Sequence, residues 1–274
     1  MSGQNKLMQS REDIQSLLDD PATSAELAAQ LETAEQIKVF AQNELDLPVE
    51  DSYSSYAEVE GDALVWNVIA TREFSLQAKK WCFPVAGCVP YRGYFERQKA
   101  QEFANRLSGK GMDVIVSPAA AYSSLGWFED PLLSTMLSGT DTRLAAYLFH
   151  ELAHQRLYVK HDGLFNEGYA SFVEDTGVRS WLDSRRQPDE LQNWLKLKQV
   201  GEDFSSLVKK TRRQLGDLYR SGQAGDIMRR KKSEIFATFE SDYRHLSDEK
   251  WEGRRYYANW FEEPLNNARL ALYN

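Results

Sequence analysis

"LFHELAHQRLYVKHDGLFNEGYASFVEDTG", residues 148–177, decides how this chain is read. It holds three of the four histidines in the 274-residue sequence, His150, His154 and His161. His150 and His154 are spaced i and i+4. At 3.6 residues per turn they share one helical face, with rings close enough to grip one ion. Glu151 falls about a hundred degrees round the helix, beside such an ion but not on it, where a carboxylate can take a proton from water. That is the physical content of an H-E-x-x-H pattern. The competing reading is an amphipathic helix with packed or solvated histidines. The apolar flank "LAAYLF" favours a helix lying under a cleft.

Catalytic zinc takes three protein ligands and keeps one position open. His161 is the nearest further imidazole. The H-E-x-x-H-x-x-G-x-x-H pattern needs glycine at 157 and histidine at 160, whereas this chain has Leu157 and Lys160. Glu167 fits better as third ligand, because it opens a second helix after a turn marked by Asp162 and Gly163. Glu174, seven residues on, lies on the same face two turns later and is placed to hold a ligating histidine by its other nitrogen.

Working outward, "TSAELAAQLETAEQIKVFAQNEL" reads as a helix with Thr23 and Glu26 as a capping box. "DALVWNVIAT", "FSLQAKKWCF" and "MDVIVSPA" read as strands, and "YFERQKAQEFANRLSGKG" as a helix. The metal helix is expected over Asp141–Lys160 with Asp141 as N-cap, and its partner from about Asn166. "PDELQNWLKLKQVGEDFSSLVKKTRRQLGDLYRSG" and "AGDIMRRKKSEIFATFESDYRHL" form a long helical hairpin turning at Ser221–Gly225. The fold class is α+β: a small sheet in the N-terminal half, a helix pair around the metal, and a mostly helical C-terminal half. The expectation is one metallopeptidase domain over 1–274, with a mixed region to about 140, metal helices over 141–184 and a helical part over 185–274.

The net charge of −8 and pI near 5.2 leave no basic footprint for nucleic acid. "RRKKSE", residues 229–234, reads as a solvated helix face. No apolar run approaches the ~18 residues of a membrane span, and "MSGQNKLMQSREDIQ" has no leader core. Cys82 and Cys88 in "WCFPVAGCVPYRGYF" are either a small disulfide loop or two buried thiols. The ending "NNARLALYN" reads as the start of a helix, which raises the expectation of a longer natural chain.

"HELAHQ" followed by "NEGYASFVE" resembles the zinc region of the gluzincin metallopeptidases, the alanyl-type aminopeptidases in particular. The resemblance implies zinc held by His150, His154 and Glu167, with Glu151 as general base. The twelve residues between His154 and Glu167 are fewer than in those larger enzymes. With "CFPVAGCVPYRGYF", "SPAAAYSSLGWFEDPLLSTML" and "NNARLALY", the short spacer resembles a bacterial family of predicted aminopeptidases that covers most of the chain. Its members look like lipoproteins. The resemblance therefore implies a periplasmic or membrane-anchored location, with the cytoplasm as the alternative, and favours a Cys82–Cys88 disulfide. The substrate would be a small peptide.

For the oxyanion donor that such hydrolysis needs, Tyr122, Tyr256 and Tyr257 are candidates. Glu129, Glu262 and Glu263 are candidate anchors for a free α-amine. "VIVSPAAAYSSLGWF" is the candidate edge strand for substrate backbone. Two rival functions remain at this stage: a zinc hydrolase of non-peptide amides, and a non-catalytic zinc-binding interaction protein.

Overall fold

The computed structural model describes residues 10–49, 52–59, 61, 63–83, 87–118, 130–160 and 162–273. In chain order the elements are β1 (Glu12–Asp13), α1 (Ile14–Asp19), α2 (Ala25–Leu45), β2 (Ser55–Ala57), β3 (Trp66–Arg72), β4 (Trp81–Phe83), β5 (Gly87–Val89) and β6 (Arg92–Tyr94). They continue with α3 (Arg97–Ser108), β7 (Met112–Pro118), β8 (Leu132–Leu133), α4 (Ser134–Leu137), α5 (Asp141–Arg156) and α6 (Gly163–Ser184). Last come α7 (Pro188–Arg220), α8 (Gly225–Lys250), a 3-10 turn (Ala258–Phe261) and α9 (Asn267–Leu270). This is an α+β chain with small sheets and a mostly helical C-terminal half. It divides into two compact units, residues 1–64 with 120–194, and residues 65–119 with 195–274.

In the first unit, α2 buries Leu31, Ala34, Ile37 and Ala41, a three-and-four spacing that makes one apolar stripe. Helix α5 buries Leu144, Leu148, Phe149 and Leu152 in the same core. Full burial of each large side chain is worth about 1.5–3 kcal/mol. Helix α6 adds Val178, Trp181 and Leu182. A Cβ on Gly177 would meet Leu45 Cδ1 and Phe149 Cδ2 at 2.8 Å each. The missing side chain is what lets α6 press against α5 and α2. Strands β1, β2 and β8 form a small mixed sheet, with β2 parallel to β8.

In the second unit, β3 is the centre of the order β6-β3-β7, with both neighbours antiparallel. Its side chains alternate as a strand dictates. Val68 and Ala70 pack with Ala100, Ala104 and Leu107 of α3, while Ile69 and Ile115 pack with Ala268 and Ala271. The hairpin of α7 and α8 closes on Phe204, Val208, Leu215, Phe236, Phe239 and Tyr243. Asn267 is a buried polar hub: it donates from Nδ2 to the Glu73 carbonyl at 2.9 Å and accepts from the Tyr219 hydroxyl at 2.7 Å.

Several local expectations are corrected. The cap of α2 is Ser24, whose hydroxyl accepts from the Leu27 amide, rather than Thr23. The cap of α5 is Thr140 rather than Asp141, and the helix stops at Arg156, four residues short of Lys160. Helix α6 starts at Gly163 behind an Asp162 cap, ahead of Asn166. Most of "FSLQAKKWCF" is not strand: only Trp81–Phe83 pairs in a ladder, with an isolated bridge at Ala78. The "RRKKSE" face is partly tied down, because Arg229 pairs with Glu73 at 2.6 Å and Lys232 with Asp113 at 2.5 Å. The Cys82 and Cys88 sulfurs are joined as a disulfide across the β4–β5 ladder.

Candidate metal centre

Two helices and one short connection build the centre. Helix α5 carries His150, Glu151 and His154, and α6 carries Glu167 and Glu174. The connection is clamped by Asn166, which is buried. Its side-chain oxygen accepts from the Val159 amide at 2.8 Å, and its Nδ2 donates to the Val159 carbonyl at 2.9 Å. An amide side chain paired to both groups of one residue imitates a ladder step and fixes where α6 begins. Glu167 follows directly, so its carboxylate inherits that placement.

The geometry converges. His150 Nε2 stands 3.4 Å from one Glu167 oxygen, and His154 Nε2 stands 3.7 Å from the other. One ligand atom from each of the three residues lies within 4.8 Å of the others. Ligand bonds of about 2.0–2.2 Å at tetrahedral angles would place neighbouring donor atoms about 3.4 Å apart. The two His–Glu167 approaches, one to each carboxylate oxygen, come close to that spacing, and the donor set, two imidazoles and a carboxylate, is one that zinc accepts. The two rings meet edge to face at 4.9 Å. These three residues can hold a metal ion.

Behind the triad, His150 Nδ1 pairs with a Glu174 oxygen at 3.0 Å. This directs Nε2 toward Glu167 and fixes which nitrogen is free to ligate. Burial alone would lower the His150 pKa, but the hydrogen bond and charge of Glu174, with Glu151 and Glu167, outweigh it and the net shift is upward. Burial and the neighbouring His150 push the His154 pKa downward, which favours the neutral ring. Its Nδ1 is buried with no hydrogen-bond partner among the described residues. His154 is buried, His150 and Glu174 are partly so, and the Glu167 side chain is 68% exposed. The triad therefore opens to solvent on its Glu167 side.

Helical spacing puts Tyr147 and Gln155 one turn to either side of Glu151. The turn at Ser52–Tyr53 meets this face: Ser52 Oγ donates to Gln155 Oε1 at 3.1 Å. Tyr53 is fully buried at φ 57°, a left-handed conformation that costs a large side chain free energy. Burial pushes the Tyr53 and Tyr147 hydroxyls far upward, and the charges of Glu151 and Asp130 add to it. Both stay protonated near Glu151. Sequence reading missed Tyr53, Tyr147 and the clamp at Asn166. Only Tyr147, at i−4 from Glu151, carried a spacing signal.

A family model described as "Putative aminopeptidase" matches residues 1–274. The chain belongs to that family. No curated protein and no solved structure matches it. Membership in the aminopeptidase family supports peptide hydrolysis as the general activity. No described helix is long and apolar enough to cross a membrane.

For this member of the aminopeptidase family, the remaining candidates fall in different places. Tyr122, Glu129 and His161 lie outside the described residues. Tyr256 and Tyr257 belong to the second unit's aromatic cluster, where Tyr257 stacks on Phe204 at 3.8 Å and Tyr256 meets the Trp251 edge. Glu263 pairs with Arg269 at 3.7 Å. The described part of the candidate substrate edge is β7, which pairs with β3 alone among the described strands. Its Val114 carbonyl accepts from Asn266 Nδ2 at 3.0 Å.

Proposed function

We propose that the protein is a zinc-dependent metallopeptidase of gluzincin type, acting as an aminopeptidase on small peptides. The observation that carries this is the convergence of His150 Nε2 and His154 Nε2 on the two oxygens of Glu167, with Glu151 on the same helix. His150, His154 and Glu167 would hold one zinc ion. Zinc there supplies Lewis acidity, making water a nucleophile near neutral pH and polarising the scissile carbonyl.

The chain's own residues do the rest. Glu151 takes a proton from the attacking water and passes it to the leaving amine, the general-base and general-acid roles of one carboxylate. Glu174 holds His150 in its ligating tautomer. The developing oxyanion calls for a second donor besides the metal. An exported location, periplasmic or lipid-anchored, is part of the proposal. The Cys82–Cys88 disulfide supports it, since such bonds persist in oxidising compartments.

The test is a screen of zinc-loaded protein against aminoacyl and N-blocked peptide substrates, beside Glu151→Gln. An aminopeptidase cleaves the free-amine set only, and Glu151→Gln loses at least about a hundredfold in kcat while keeping its metal. Hydrolysis of non-peptide amides alone would move the protein to the rival zinc hydrolase class. Wild-type activity surviving in Glu151→Gln would remove the assigned base.

A further inference from the structure

Helix α6 exposes large apolar side chains beside the triad. Leu164 is 78% exposed, Phe172 68% and Phe165 45%. Leu164, Gly168 and Phe172 are spaced i, i+4 and i+8, so they form one row along the helix. Eight residues of rise set the two apolar side chains about 12 Å apart along the axis, with Gly168 midway. Gly168 directly follows Glu167.

Gly168 has neither of the usual reasons to be glycine. Its φ is not in the left-handed region, and beyond its chain neighbours and the adjoining helix backbone no described atom lies within 4 Å of where its Cβ would be. Alanine would fit and would favour the helix by about 1 kcal/mol. A glycine that helps neither backbone nor packing leaves room for something that approaches from outside. Here the room is a gap floored by backbone and walled by two apolar side chains, centred one residue on from Glu167 and about a hundred degrees round the helix from it.

We propose that the Leu164–Gly168–Phe172 row is the subsite for a large apolar side chain of the substrate residue flanking the scissile bond. This rests on the peptidase reading of the same centre. A scissile carbonyl at the triad places the adjoining side chain within one residue's reach of Gly168. Leu164 and Phe172 carry no charge or hydrogen-bonding group to meet a polar side chain. A leucine- or phenylalanine-sized group fills the gap and covers both walls.

The test measures binding, so that it stands apart from turnover. Leucine hydroxamate and glycine hydroxamate are titrated calorimetrically into the zinc-loaded full chain. The wild type binds the leucyl compound about tenfold tighter, as expected when roughly half of that side chain leaves water. Leu164→Ser with Phe172→Ser brings the ratio to about twofold at unchanged metal content. Gly168→Leu, which fills the gap and favours the helix, weakens the leucyl compound about fivefold or more and spares the glycyl one. No preference in the wild type, or a preference that survives the double substitution, overturns the subsite. A leucyl preference without cleavage of any leucyl peptide would leave the subsite standing and count against peptide hydrolysis alone.

Discussion

His150 Nδ1 stands 3.0 Å from Glu174 Oε2, so one helix supplies the histidine and the next sets its orientation. The pairing accounts for a carboxylate seven residues beyond Glu167 on the same face of α6. On the proposed function, it also makes zinc binding sensitive to Glu174, which is not among the three proposed ligands.

Glu174→Gln keeps a hydrogen-bonding group at that place and removes the charge. Zinc affinity then falls about tenfold, toward a hundredfold for Glu174→Ala, as is usual when a histidine ligand loses its support. Competition against a chromophoric chelator reads this directly. Unchanged affinity in both variants would show that Glu174 is only a neighbour.

Gly177→Ala separates packing from helix propensity. Propensity alone predicts a gain of about 1 kcal/mol. The two 2.8 Å approaches to Leu45 and Phe149 instead predict a net loss of about 1–2 kcal/mol in urea unfolding, because the core must shift to admit a methyl group. The shift moves α6 from α5, so zinc affinity drops as well. A more stable variant with wild-type affinity would contradict the packing account.

Asn166→Ala removes the acceptor of the Val159 amide and one of two donors to the Val159 carbonyl, which keeps the Asp162 amide at 3.2 Å. The expected loss is about 1–2 kcal/mol, since two part-buried hydrogen bonds go and each contributes about 0.5–1.5 kcal/mol. Asn166→Asp restores the acceptor but not the donor and recovers only part. Thermal unfolding of the metal-free forms ranks the three proteins. Equal stability of Asn166→Ala and wild type would remove the clamp.

The pH dependence follows from opposite shifts on the two histidines. In the metal-free protein the raised His150 pKa contributes stability below its ordinary 6.5, lost as pH rises through the raised value. The lowered His154 pKa does the reverse: its contribution is present above 6.5 and is lost as pH falls through the lowered value. Metal needs both rings neutral, so protons displace it first at His150. The gap in Tm between metal-loaded and metal-free protein should therefore begin to close above pH 6.5 on acidification. Glu174→Gln moves that onset downward. An onset below 6.5 in the wild type would contradict the assignment.

Much of this centre was legible in the sequence because helical spacing is a local rule. That His150 and His154 share a face follows from 3.6 residues per turn, and the place of Glu174 from its distance to Glu167. The α+β class and the long hairpin followed from apolar periodicity in the same way. What was not legible depends on contacts far apart in the chain. Tyr53 reaches the helix face beside Glu151 from a turn about a hundred residues earlier, and Gly177 matters only because Leu45 and Phe149 come to it. Cap positions slipped by one residue because neighbouring Thr, Ser and Asp side chains can each accept from the first turn. The partial strand in "FSLQAKKWCF" was overread, since alternation in sequence does not supply a pairing partner.

The most direct measurement is the metal content of purified protein by elemental mass spectrometry, for wild type, Glu167→Ala and Glu151→Gln. The account predicts about one zinc per chain in wild type, its loss in Glu167→Ala and its retention in Glu151→Gln. Wild-type protein that stays metal-free after zinc is supplied, or Glu167→Ala that binds zinc as the wild type does, would contradict it.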